Sequence, residues 1–283
     1  MASSPGYTCQ GTTAGCISPT MRLYSYLLKL QLLNALVYRF EYLSGIGRNL
    51  LLLLGSVFLW RTAYRGIDQV AGVTEAQMLT YTVVAVLMSA CFHISVDSML
   101  FGKVREGQIA LDLIRPVHLV WYWLTEDIGR SLASITQFAL PIFCVSLIFV
   151  QPPVPASLTS LLLFLPSCCL SYVILWQLGT LVGLAAFWVT EMGNISTIKT
   201  MMVLTLSGRL VPMWLFPAAL ADASRYLPFQ YTFQAPLEIY IGRAVITDAV
   251  DILAIQAVWS ILFTVLVHVV WVRAQRRVFV QGG

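Results

Sequence analysis

Long apolar runs separated by short polar stretches set the pattern of this chain. Residues 42–64 form the first run, with an unbroken leucine centre at 50–54. Residues 78–96 and 131–150 form the next two. Residues 157–189 carry no charge at all, a stretch of 33 residues. One membrane span needs about 20 residues and two need about 40, so this stretch predicts a single long span with a protruding end. A fifth run begins near Ile195 and is interrupted by Gly208, Arg209 and Pro212; a sixth covers 252–272. Before the first run, residues 21–41 place Leu23, Tyr26, Leu27, Leu30, Leu33 and Val37 three or four apart among Arg22, Lys29, Arg39 and Glu41. That spacing predicts a basic amphipathic helix lying in the membrane interface. The expected fold is an all-α integral membrane protein with six transmembrane helices and an N-terminal interfacial (elbow) helix.

The connections are polar at 68–77, 97–130 and 191–199, and Gln151-Pro152-Pro153-Val154-Pro155 forms a turn that no helix continues through. Residues 210–250 fit neither a loop nor a span. They hold Pro212, Pro217, Pro228 and Pro236 among Trp214, Phe216, Tyr226, Phe229, Tyr231, Phe233 and Tyr240. Irregular backbone at membrane depth is tolerated where protein or a cavity satisfies it. This predicts short re-entrant or interfacial helices between the fifth and sixth spans, at one mouth of a pathway. An aromatic cap outside the membrane is the alternative. The candidate outer gate comprises Gly208, Pro212, Phe216, Pro217, Pro228, Phe229 and Pro236. Phe229 is the positioned ring, because Pro228 fixes the backbone entering it.

Composition supports the membrane class: 58% hydrophobic, 11% charged and a mean hydropathy of +0.79, against about 25% charged residues in ordinary soluble domains. The net charge of +4 gives nucleic-acid binding no support. Of the 17 basic residues, Arg61, Arg65, Arg209, Arg225 and Arg243 fall on one side of the six-span arrangement and the other twelve on the opposite side. The richer side is the cytoplasmic one, which places both termini in the cytoplasm. Residues 1–20 contain no basic residue and do not read as a signal peptide. They are expected to be a disordered polar extension, with Met21 a plausible true start and residues 21–283 a single transmembrane domain.

Candidate chemistry is sparse. The chain contains no G-x-x-x-x-G-K-[ST] and so cannot build a P-loop. Its three histidines are far apart, and no Cys/His cluster has metal-ligand spacing. His93 and His268 fall in expected spans, where an interhelical hydrogen bond is the expected role. Gly179 and Gly183 match a small-xxx-small packing motif. In the stretch 103–116, Ile109, Leu113 and Ile114 can share one face of a short helix with Gln108 and Asp112 on the solvent side, and Pro116 stops it. An ordinary interfacial helix and a docking helix fit that pattern equally.

Several pieces in order resemble the ABC-2 type export permeases, in particular small six-span permeases encoded without their own ATPase. They are Tyr38-Arg39-Phe40-Glu41, Arg105-Glu106-Gly107 with Leu111-Asp112 and Arg115-Pro116, Ala186-Phe187-Trp188, and Leu206-Ser207-Gly208 with Val211-Pro212. Phe216-Pro217, Leu227-Pro228-Phe229, the stretch 236–242 and the final Gly282-Gly283 complete the set. The resemblance covers nearly everything from Met21 onward. It implies a bacterial inner (plasma) membrane permease, dimeric with an identical or related second permease chain and bound to two copies of a separate ABC ATPase. That partner holds the ATP and Mg, and this chain holds no cofactor. It implies that Arg105, Glu106, Gly107, Asp112, Arg115 and Pro116 form the ATPase-coupling loop. Scarce intramembrane acids speak against ion coupling. An ion-driven secondary carrier and a non-transporting membrane assembly or immunity protein are the competing classes.

Overall fold

The structure, a computed structural model, describes residues 39–114, 118–150, 153–189 and 193–278, with only the backbone considered at 39–43, 193–194 and 278. The expected elbow helix, the polar extension, Arg115, Pro116 and the C-terminal glycines lie outside the described residues.

Helix α1 spans Arg39–Ala63. Its Leu53, Val57 and Trp60, with Tyr64 beyond its end, are buried at helical spacing, while Leu51, Leu52, Phe58 and Leu59 face outward. A helix apolar on both faces suits burial on one side and lipid on the other. A two-residue hairpin follows, β1 (Gln69–Val70) against β2 (Val73–Thr74). Ala71 and Gly72 both have positive φ (51° and 77°), the backbone that such a tight turn requires. Thr74 then caps helix α2 (Glu75–Cys91): the Gln77 N–H donates to its hydroxyl, and the Gln77 side chain accepts from the Thr74 N–H at 3.0 Å.

The second expected span is longer than its apolar run and is interrupted. After α2, residues 92–95 leave the helix and α3 (Val96–Arg105) resumes it, giving a 31-residue stretch, Glu75–Arg105. A short helix α4 (Ile109–Leu113) turns back beyond Gly107, whose φ is 71°. The third span also begins earlier than expected. Helix α5 (Leu119–Ser134) takes in most of the second half of the expected charged loop, then passes through a π-turn (Ile135–Ala139) into α6 (Leu140–Phe149). Pro141 lacks an N–H and crowds the preceding turn, and the π-turn absorbs both.

Helix α7 (Leu158–Leu184) continues as a single 3₁₀ turn to Phe187, so the uncharged stretch is one span. Helix α8 (Gly193–Leu206) has 14 residues. At 1.5 Å per residue it rises about 21 Å, short of a hydrocarbon core of about 30 Å. Residues 207–245 fold into two 3₁₀ turns (Met213–Leu215 and Phe229–Thr232), α9 (Ala218–Arg225) and α10 (Gln234–Tyr240). Helix α11 (Ile246–Val278) closes the described chain.

Among the described residues, four stretches are long and apolar enough to cross a membrane: Glu75–Arg105, Leu119–Phe149, Leu158–Phe187 and Ile246–Arg277. Two of the six expected spans fall outside that set. α8 is too short, and α1 carries Arg48, Asn49 and Arg61 along its length. Direction alternates along the bundle. Arg105, Phe187, Trp188 and Arg277 meet at one end. The hairpin, Phe149, α9 and α10 gather at the other, where Arg61 donates to the Phe149 carbonyl (2.7 Å) and Arg243 to that of Ala71 (2.9 Å).

Candidate functional site

Three places in the bundle concentrate polar side chains. The first is the turn joining α3 to α4. Lys103 and Asp112 form an ion pair at 2.6 Å that closes it, and Gln108 donates to Glu106 at 2.7 Å. Arg105, Glu106, Gly107 and Gln108 are exposed. The expected faces are partly exchanged. Asp112 is 3% exposed and belongs to the fold of the turn, whereas Leu111 (65%) and Ile114 (78%) point outward. Lys103 is the reason: its ammonium draws the carboxylate inward, and α4, only five residues long, rotates to suit. The turn therefore presents two apolar side chains next to exposed charges at a bundle end.

The second place is the break at 92–95. Asp127 on α5 is fully buried, and its carboxylate accepts from the Ser95 hydroxyl (3.1 Å) and from the backbone N–H of Ser95 (3.4 Å) and Val96 (3.1 Å). It thus caps the first turn of α3 from a different helix, where a negative charge also suits the helix dipole. Arg130 joins Asp127 (3.0 Å), Glu126 and the Ser95 hydroxyl. One residue into α3, Asp97 accepts from Lys199 (2.6 Å) and Ser196 (2.7 Å) of α8. Asp97 lies eight residues before Arg105 and Asp127 eight after Leu119, so both sit about 12 Å from the α4 end of their helices. The sequence reading placed these acids in a loop because charges shorten an apolar run. The spacing Glu126-Asp127-x-x-Arg130 was the available signal, since it puts all three on one helical face.

The glycine motif on α7 packs against this junction. A Cβ at Gly179 would meet Val96 at 3.1 Å, and one at Gly183 would meet Leu100 at 2.9 Å and the backbone of Asp97 at 3.0 Å. On the opposite face of α7, Gln256 of α11 bonds Ser167, Ser171 and the Tyr231 carbonyl, and Gln177 donates to Ser260 and Thr264. Neither the His93 nor the His268 imidazole makes a hydrogen bond among the described residues; both are exposed.

The third place is a cavity of about 850 Å³ between the broken region and α11, lined by Met213, Trp214, Tyr226, Gln230, Tyr231, Gln234, Glu238, Arg243, Asp248, Asp251 and Trp259 among others. None of the expected gate residues lines it. Pro212, Pro217 and Pro228 instead stand immediately before short helices, and Pro236 lies in the first turn of α10. Phe216 and Phe229 are half-buried and Pro217 is exposed. Gly208 has φ 74°, and its carbonyl accepts from the Tyr81 hydroxyl at 2.6 Å. A side chain there would meet Gln234 at 2.5 Å. Gln234 in turn accepts from the Met213 N–H and donates to Glu238. The prolines and Gly208 thus set the frame, and their neighbours line the cavity.

Four apolar crossing stretches with buried polar junctions define a multi-pass helical membrane protein. The model of the family described as ABC-2 family transporter protein matches residues 50–282, and the chain belongs to that family of membrane transport components. No curated protein and no solved structure matches it.

Proposed function

We propose that this chain is the permease subunit of an ATP-binding cassette exporter. It pairs with an identical or related permease chain and is driven by two copies of a separate ATPase that hold the ATP and Mg. The observation that carries this reading is the α3–α4 turn. An exposed pair of apolar side chains beside Arg105, Glu106 and Gln108, at the end of the bundle, fits a soluble partner. The turn is braced by Lys103 and Asp112, and α3 leads from it directly to the Asp127 cap supplied by α5 and to the Asp97–Lys199 ion pair with α8. A push on the turn therefore reaches two helices at once. The excess of basic residues puts this end, and both termini, on the cytoplasmic side of a bacterial inner membrane. The opposite end, with its 850 Å³ cavity lined by aromatic rings together with Glu238, Arg243, Asp248 and Asp251, is the outer mouth for an amphipathic substrate. The expected gate residues, Phe229 among them, frame that mouth.

An ion-driven carrier is the second reading, because Asp97, Glu126 and Asp127 lie within crossing stretches. Asp97 is matched by Lys199, and Glu126 and Asp127 share Arg130, which leaves a single negative charge for a driving ion. ATP separates the two. The tagged chain, purified with the ATPase that accompanies it, should show ATP hydrolysis that the Leu111→Asp/Ile114→Asp variant reduces about tenfold or more, as loss of a packed anchor would. Glu106→Lys should reduce it less. Hydrolysis unchanged in the double variant, with the chain still folded, rejects the coupling turn. Transport driven by an ion gradient without ATP rejects the exporter.

A further inference from the structure

Two arginines stand at mid-depth without an acid. Arg209 follows the short helix α8, and its guanidinium lies over the Phe233 ring, 5.6 Å from the centroid. That ring is its side-chain partner among the described residues; no carboxylate and no hydrogen bond joins it. Arg209 lines a cavity of about 140 Å³ with Ser89, Phe92, Lys199, Thr200 and Phe233. Ser89 and Phe92 flank the midpoint of the crossing stretch Glu75–Arg105, so the cavity lies near the middle of the bundle's depth. Arg48 of α1 is close enough for its charge to act on both Arg209 and His93, and it too has no ion pair among the described residues. Lys199 shares the cavity, but its charge is met by Asp97.

Of the cations that line the cavity, Arg209 is therefore the one left without an acid among the described residues. An uncompensated cation at membrane depth is costly and is found where it serves a pathway or a ligand. Like charges raise that cost further. Apart from the two cations, Ser89 and Thr200, the lining is apolar, and none of the lining residues is an acid that could pair with Arg209. A volume of 140 Å³ holds a phosphate or carboxylate group but not the body of a larger molecule.

We infer that this mid-depth cavity binds the anionic group, phosphate or carboxylate, of an amphiphile, with Arg209 as its direct contact and Arg48 as a second cation nearby. Arg209 offers a planar fork of donors suited to two oxygens at once. The apolar remainder of the ligand lies along the cavity walls and the membrane. This deepens the permease reading by naming the class of substrate. It depends on that reading for membrane placement but not for coupling to an ATPase.

The test uses the purified full chain in phosphatidylcholine nanodiscs without any ATPase, so its failure is distinct from a failure of coupling. The probe is labelled dodecyl phosphate, with dodecyltrimethylammonium and inorganic phosphate as controls. Wild type should bind dodecyl phosphate saturably and more weakly as salt rises. Arg209→Gln should weaken binding about tenfold or more, the worth of a charged hydrogen-bonded pair. Arg48→Gln should weaken it several-fold. Arg209→Lys keeps the charge and should fall between, which reads the site even if the glutamine variant folds poorly. Competition by phosphatidylglycerol built into the disc identifies a lipid headgroup as the source; binding undisturbed by it identifies a free amphiphile. Equal affinity of Arg209→Gln and wild type overturns the inference, as does binding of the ammonium probe as tight as that of the phosphate.

Discussion

The seam between α7 and α11 and the junction of α3 with α5 and α8 are both polar and both buried, yet they are made of opposite chemistry. The seam uses neutral groups. Gln256, fully buried, meets two serines and a carbonyl, and Gln177 meets a carbonyl and a threonine. The junction uses charge: the Asp127 carboxylate, held by Arg130 of its own helix, caps α3, and Asp97 pairs with Lys199. Neutral amides cost comparatively little to bury once bonded, so such a seam can be permanent. Buried ions are tolerated only while each partner stays in place. A helix pair that must stay together is served by the first kind of contact. A joint that can exist in two arrangements, each with its own pairing, is served by the second. The break at 92–95 lies at the joint and not at the seam.

The largest expected effect comes from breaking the joint. Asp127→Ala removes the cap on α3 and leaves Arg130 with Glu126 as its acid. Loss of a cap and of a charge-assisted hydrogen bond together costs about 2–5 kcal/mol. The cost should appear as a large drop in the thermal midpoint of the purified chain and as faster proteolysis near the break. Restoring stability by using Asp127→Asn instead, which keeps an oxygen acceptor for the Ser95 and Val96 N–H groups, would show that the missing cap, rather than the lost charge, is the main loss. A midpoint within a degree of wild type would mean that Asp127 does not hold the joint.

Breaking the seam should cost less. Gln256→Leu keeps the volume but strands Ser167, Ser171 and the Tyr231 carbonyl. Interhelical hydrogen bonds in membranes average about 0.6 kcal/mol each, so about 1–3 kcal/mol is expected for the group. The hydrolysis of a coupled ATPase should be little changed at temperatures where the variant is folded. Strong loss of coupling without loss of stability would contradict the assignment of this seam as a fixed contact.

The seam and the joint were unequally legible in the sequence. The spans containing α7 and α11 were placed well because their apolar runs are uninterrupted and their polar groups are uncharged. The joint was hidden because Asp97, Asp127 and Arg130 lie within their helices, and a run that ends at the first charge ends too soon. The helical character of residues 119–130 went unseen for that reason. The proline-rich region at 207–245 gave up its breaks, since prolines mark where short helices begin, but not its lining, which depends on how those helices fold back. Asp112 was misplaced because a five-residue helix turns with one ion pair.

The smallest effect contrasts the joint with Glu238, a carboxylate of α10 at the hairpin end of the bundle. Burial raises its pKa above the ordinary 4.5, and the Gln234 hydrogen bond and Arg243 offset only part of this. Its Arg243 contact is long, 3.8 Å, so it is less firmly paired than Asp97 or Asp127. A raised folded-state pKa means that the folded protein holds the proton more tightly than the unfolded chain does. The stabilisation is complete below 4.5 and is lost as pH rises through the raised value. The thermal midpoint should therefore carry a small contribution that increases as pH falls through that window. Glu238→Gln removes the titrating group and should flatten that part of the profile while leaving the hydrogen bonding to Gln234 largely intact. A profile unchanged by Glu238→Gln would mean that the folded protein holds this proton no more tightly than the unfolded chain does, and the loose Arg243 contact would not set Glu238 apart.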